Sequence, residues 1–173
     1  MKKTVSLIAG SLILLTVLPS SIFAYTYSDN GKPFPDMNFT YYSTLSANYS
    51  GPASAAMTDW SRAVGATYTA SNSTSKEIHF SDNDYGATGW NATTDHHHVQ
   101  FSSYDYLDEV RANRHYMGSM SAVDREGVFG HELGHVFGLG HTTDPWTLMC
   151  NSLNGRVVVT PQLDDIQGVE SLY

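Results

Sequence analysis

His131, Glu132, His135 and His141 form a set of three imidazoles and one carboxylate close together in the sequence. They fall in His131-Glu132-Leu133-Gly134-His135-Val136-Phe137-Gly138-Leu139-Gly140-His141, which reads H-E-x-x-H-x-x-G-x-x-H. On a helix, residues four apart share a face, with Cβ atoms about 5–6 Å from each other. His131 and His135 can therefore grip one ion from one side. Glu132 is turned by about 100° from His131, which puts it beside the ion, able to touch a water without being a ligand. Gly138 can adopt φ > 0, so the chain can turn there and bring His141 back as a third ligand. Three imidazoles leave one tetrahedral position open, as catalytic zinc sites do and structural ones do not. Zinc in such a site lowers the pKa of a water to about 7 and polarises a carbonyl. Glu132 would act as general base and pass the proton to the leaving amine. This is the chemistry of zinc-assisted hydrolysis.

A helix has to position these groups, and the surrounding residues are consistent with one. Ser121-Ala122-Val123-Asp124 reads as a capping-box entry. Gly127, Gly130, Gly134 and Gly138 share a narrow helical face, while Ala122, Val123, Phe129, Leu133, Val136 and Phe137 form an apolar one opposite the ligands. Each interior glycine costs roughly 0.8–1.0 kcal/mol relative to alanine. Close backbone packing against a sheet is the expected compensation. Between Gly127 and Thr143 only Glu132 and the histidines are ionisable, and a lone buried carboxylate needs a charged partner. A core helix with a few satisfied histidines is the plain alternative for the five-residue motif. Gly138 and His141 weigh against it.

The eleven-residue stretch resembles the signature of the metzincin zinc peptidases, which also carry a methionine turn downstream. Thr147-Leu148-Met149-Cys150 matches that turn, with Met149 beneath the metal. The resemblance implies His131, His135 and His141 as zinc ligands and Glu132 as base. Asn151 stands where the astacin-like and serralysin-like branches carry a tyrosine, and Gln162 to Tyr173 is similar to the closing helix of matrixins. The match is therefore matrixin-like, of the small bacterial secreted type. It implies an α+β zincin fold: a small, twisted, mostly parallel sheet, two long helices behind it, one catalytic zinc on the cleft floor and a C-terminal helix. A rim strand would receive peptide by strand addition. The loop after Met149 would wall the primed-side specificity pocket.

The rest of the chain supplies candidate elements. Asn38–Ser43, residues 66–70, residues 77–81 and residues 96–102 read as strands, the last as the rim. Ser50-Gly51-Pro52 reads as the start of an amphipathic helix anchored by Trp60. Tyr104 to Met120 shows no clear period and reads as mixed loop, and Arg156 to Val159 as a short extended segment. Thr160-Pro161 opens the last helix, with Asp164 and Asp165 favoured by its dipole and Leu163, Ile166, Val169 and Tyr173 docking it. Two further metal sites are weaker readings. The acidic run Ser81 to Gly86 is a solvated turn first and a fragment of a calcium loop second. His96 and His98 could join His79 and His115 around a second zinc, although the usual His-x-Asp spacing is broken by Ser81.

Met1-Lys2-Lys3, an apolar run to Leu18 and Ala24 before the cut read as a secretory signal peptide spanning residues 1–24. The apolar run is shorter than the ~20 residues of a membrane span, and no later segment approaches one. Residues 25–173 then form one catalytic domain, expected to be secreted and to act as a monomer. Losing Lys2 and Lys3 takes the formal net charge from −8 to −10. Such a surface excludes nucleic acid and anionic membranes as partners and leaves a protein or peptide as substrate. Cys150 is the single cysteine. It reads as a buried thiol, with no upstream cysteine to block the zinc. A zinc amidase acting on cell-wall peptides and a non-catalytic zinc-containing binding module are the rival functions.

Overall fold

The computed structural model describes residues 25–28, 34–98 and 104–173. The expected signal peptide, the first loop around Asn30-Gly31, and Val99 to Ser103 of the expected rim strand lie outside the described residues.

The described residues form, in order, β1 Thr26–Tyr27, β2 Asn38–Ser43, α1 Ala47–Val64, β3 Thr67–Ala70, β4 Ile78–Asn83, β5 Ala92–His98, β6 Asp105–Asn113, α2 Arg114–Met117, α3 Ala122–Val136, β7 Leu139–Gly140, a short 3-10 turn Ser152–Asn154, and α4 Leu163–Glu170. The main sheet has the order β3-β2-β4-β6-β5. All its pairings are parallel except β5 with β6, which is antiparallel. The expected mostly parallel sheet is present, and β5 forms its outer edge.

Helices α1 and α3 pack on one face of this sheet and enclose the core. Trp60 of α1 is fully buried and donates from Nε1 to the Gly130 carbonyl of α3 at 2.9 Å. Its ring lies 4.8 Å from Phe137, which in turn meets Phe39 of β2 at 5.4 Å. This tryptophan bolts the two helices together at the turn that carries His131.

α1 begins at Ala47, earlier than the Ser50-Gly51-Pro52 signal predicts, and Pro52 sits inside it. A proline there cannot donate to the carbonyl of Asn48. Arg125 of α3 supplies the missing donor, its Nη1 reaching Asn48 O at 3.2 Å. Ser46 precedes the helix but bonds Asp82 rather than capping.

Tyr104 to Met120, expected to be irregular, contains the nine-residue strand β6. Its charges hide the strand pattern because several of them are buried and partnered. Asp108 is fully buried against His96, and Asn113 is fully buried against the Gly86–Trp90 loop. β5 begins at Ala92, four residues before the expected rim strand. No strand forms at residues 156–159 among the described residues. At the C-terminus, the cap of α4 is Gln162 in a reciprocal box with Asp165, and Pro161 precedes it. Val169 docks α4, whereas Leu163 is exposed.

Candidate active site

α3 starts at the Ser121–Asp124 capping box, as the sequence predicts. It carries His131, Glu132 and His135 into the base of a cleft beneath β5. The helix ends at Val136, and Gly138 takes φ 93°. The two-residue strand β7 then leads directly to His141. β7 pairs with β1, Tyr27 opposite Leu139 and Thr26 opposite Gly140. Thr26 Oγ1 donates to His141 O at 2.7 Å, and Ser28 N to Gly138 O at 2.9 Å. The start of the described chain therefore holds the third histidine in place, a contact that periodicity could not reveal.

The three rings converge. Nε2 of His141 is 3.1 Å from Nε2 of His131 and 3.2 Å from Nε2 of His135. Nδ1 of His131 lies 2.8 Å from Leu148 O, and Nδ1 of His135 lies 2.7 Å from Leu139 O. Carbonyl oxygens only accept, so both Nδ1 atoms carry the proton and both Nε2 atoms present lone pairs. Burial pushes His131 well below the ordinary histidine range, His135 down to about 4, and His141 down as well. Neutral imidazoles aiming lone pairs at one point repel one another unless a cation sits among them. That donor set fits zinc, with the Leu148 and Leu139 carbonyls fixing the tautomers.

Glu132 is 5% exposed. Thr94 of β5 donates from Oγ1 to its Oε2 at 2.8 Å and lies 3.1 Å from its carbonyl oxygen. Burial raises Glu132 to about 7, while the Thr94 bond and the neighbouring His141 and Arg156 pull it down. A carboxyl poised near neutrality suits proton transfer in either direction.

The Thr147–Cys150 turn, expected as the methionine turn, lies beside His131, whose Nδ1 meets Leu148 O. Met149 is 1% exposed, and Thr142 N donates to its carbonyl at 3.0 Å. The glycine face of α3 meets this turn, not the sheet. A Cβ at Gly134 would press on the Met149 side chain, one at Gly130 would meet Leu148 at 3.2 Å, and one at Gly127 would meet Val159 at 2.9 Å. The expected packing against a sheet is thus replaced by packing against the segment that follows His141. Val123, placed on the apolar face by its spacing, is 56% exposed.

Asp165 anchors the same turn from α4. Its carboxylate accepts from Leu148 N at 2.8 Å, Met149 N at 3.0 Å and Gln162 N at 2.8 Å. The sequence marked it only as an acid favoured by the helix dipole. Cys150 is a buried free thiol, as expected.

The secondary metal readings resolve differently. His96 joins Asp105 and Asp108, at 3.3 and 3.0 Å from its Nδ1, instead of His98, His79 and His115. Those three donors and the 131/135/141 triad are the metal-capable groups among the described residues. His79 lies against Tyr42, and His115 is 3.9 Å from Asp84. In the acidic run, Asp82 faces Ser46 and Arg114.

Two hollows open at the triad. A groove of about 870 Å³ runs between β1 and β5 past Thr94, Asp95, Glu132 and His135. On the other side a pocket of about 160 Å³ is lined by Trp90, Val128, His131, Glu132, Leu153 and Arg156, among others. Thr94 and Arg156 were not singled out by sequence. Both become site residues only through contacts distant along the chain.

The Matrixin family model matches residues 36–173. The chain belongs to the matrixin family. Among relatives of this matrixin, Metalloendoproteinase 4-MMP of Arabidopsis thaliana is 46% identical over 56 residues, 32% of this chain and 16% of that protein. Metalloendoproteinase 1 of Glycine max is 44% identical over 54 residues, 31% and 18% of the two chains. Stromelysin-1 of Equus caballus is 38% identical over 64 residues, 35% and 13%. The matrixin thus spans less than a fifth of the length of these curated relatives. A chain in the GM1-bound form of the ECX AB5 holotoxin has the same fold, with TM-score 0.60, 16% identity and 86% coverage of both chains. The α+β metzincin fold expected from the sequence is the fold of this matrixin.

Proposed function

We propose that this matrixin is a secreted zinc endopeptidase whose ligands are His131, His135 and His141 and whose general base is Glu132. The observation that carries the reading is the convergence of three imidazoles, with Nε2 of His141 at 3.1 Å from that of His131 and 3.2 Å from that of His135, beside a buried carboxyl. Zinc bound there would supply Lewis acidity toward a carbonyl and lower the pKa of water. The chain's own residues do the rest. Glu132, near neutrality, takes the proton of the attacking water and hands it to the leaving nitrogen. Thr94 fixes the rotamer of that carboxylate. Among the described residues β5 is an edge strand of the main sheet, and that edge would pair with an extended substrate, which favours a polypeptide over a compact ligand. Met149 and Asp165 hold the floor against which the histidines lean. No helix among the described residues is long and apolar enough to cross a membrane, and residues 1–24 would direct export and be cut off in the process.

The test is to express the full chain, sequence the N-terminus of the exported protein, and measure bound metal and cleavage of an unfolded protein. Tyr25 as first residue and one zinc per chain are expected. Glu132→Gln should keep the zinc and lose at least ~10²-fold in rate. Surviving cleavage in that variant would remove Glu132 from the mechanism, and absence of zinc from both proteins would remove the metal reading. A second equivalent of zinc, or bound calcium, would report a further site; His96, Asp105 and Asp108 bring donor atoms within 4.8 Å of one another.

A further inference from the structure

One charged group beside the triad has no task in the reading above. Arg156 lines the 160 Å³ pocket that opens onto His131, Glu132 and His141. It is half-buried, and its Nη1 donates to Leu148 O at 3.3 Å. A guanidinium has five N–H donors and stays charged in proteins. No ion pair forms between Arg156 and a carboxylate among the described residues. The acids nearest in effect are committed elsewhere, Glu132 to the reaction and Asp165 to the backbone of the methionine turn. On the far side of Arg156, Asp124 is held by the Ser121 cap.

Beyond Glu132 and the neutral His131 and His141, the rest of the pocket wall is uncharged: Trp90, Asn91, Val128, Ser152 and Leu153 contribute to it. A cation partly withdrawn from water and lacking a counter-ion is an unfavourable arrangement. It becomes favourable when a carboxylate enters the pocket and accepts a charge-assisted, two-pronged hydrogen bond. Because the pocket opens directly on the triad and Glu132, the side chain it receives belongs to a residue flanking the bond under attack.

We propose that Arg156 makes this pocket an acid-reading subsite, so that the preferred substrates are polypeptides with Glu or Asp directly beside the scissile bond. This inference rests on the endopeptidase reading. It identifies the substrate class through one residue of this chain. Glutamine in place of glutamate keeps the shape and loses the charge, leaving the guanidinium unmatched, the situation in which polar sites discriminate strongly.

Peptides identical except for Glu, Gln or Lys beside the cleaved bond provide the test, with mass spectrometry locating the cut. The zinc-loaded full domain should cleave the Glu peptide with a kcat/KM at least about tenfold above the Gln peptide, as hydrogen bonds to charged groups allow. Arg156→Lys should retain part of that ratio, Arg156→Gln should bring it close to one, and Arg156→Glu should turn the preference toward the Lys peptide. A purely structural Arg156 would slow all peptides together and leave the ratio intact in Arg156→Gln, which overturns the inference. Where a variant fails to fold, the wild-type ratio decides: a value of one or below sinks the acid-reading pocket while the endopeptidase stands. Failure of the zinc-loaded wild type to cut any peptide brings down both readings.

Discussion

Replacing Gly134 by alanine tests whether the methionine turn is seated by steric exclusion. In a helix interior alanine is favoured over glycine by roughly 0.8–1.0 kcal/mol, so propensity alone predicts a more stable protein. The packing opposes it. A Cβ at position 134 would lie 3.1 Å from Met149 Cε and 3.5 Å from its Cγ, and closer still to the sulfur between them. Met149 is 1% exposed, with fully buried Leu148 beside it, so the thioether cannot withdraw without displacing other core atoms. Over-packing of this kind costs about 1–3 kcal/mol. Contact at the sulfur places it toward the upper end, and after the propensity gain Gly134→Ala should lose about 1–2 kcal/mol. Met149→Ala alone should lose about 2–5 kcal/mol through the cavity it opens. In that background the obstacle is gone, and Gly134→Ala should gain roughly 0.5–1 kcal/mol as the methyl enters the vacated space. The sign of one substitution thus reverses with the other, a coupling of about 1.5–3 kcal/mol. Urea unfolding of the four zinc-saturated proteins, followed by far-ultraviolet circular dichroism, measures it. Additivity within about 0.5 kcal/mol, or a Gly134→Ala protein more stable than the parent, would refute the contact as the reason for glycine.

Asp165→Asn should cost about 2–4 kcal/mol in denaturant unfolding, because a carboxylate serving three N–H donors is replaced by an amide with a single acceptor oxygen; a loss under 1 kcal/mol, on the order of a surface change, would mean the turn holds itself. His96 gives a pH signature. Burial opposes charge on its ring, but the hydrogen bonds and charges of Asp105 and Asp108 outweigh this and lift it to about 9. Asp108, raised by its own burial to about 6, is ionised above that pH. Since the folded pKa of His96 exceeds the unfolded value of about 6.5, its stabilisation is complete below about pH 6.5 and is lost as pH rises through about 9. The stability gap between the parent and His96→Asn, about 2–3 kcal/mol at pH 6.5, should shrink by pH 9.5, and a constant gap in thermal melts would contradict the ion pair. Chelation should lower the melting temperature by several degrees, since a ligand at about 100 times its Kd contributes about 2.7 kcal/mol. Zinc should restore it, and an unchanged melt would show that the triad holds no ion.

Features that depend on neighbours along the chain were legible in the sequence. Helical geometry puts His131 and His135 on one face and Glu132 beside them, because an i, i+4 relation is local. Gly138 announced the sharp turn. The capping box at Ser121 was legible for the same reason. The rest was settled by contacts between residues far apart in the chain. Thr94 reaches Glu132 across 38 positions and Thr26 reaches His141 across 115, and neither pairing leaves a periodic trace. β6 escaped notice because Asp108 and Asn113 are polar yet fully buried, so hydrophobic alternation fails where hydrogen bonds replace apolar contacts. The glycines of α3 declared a close approach without declaring to what, and Met149, Leu148 and Val159 proved to be the partners instead of the sheet. Arg156, unremarkable in sequence, gains its meaning from a pocket wall assembled by elements far apart in the chain.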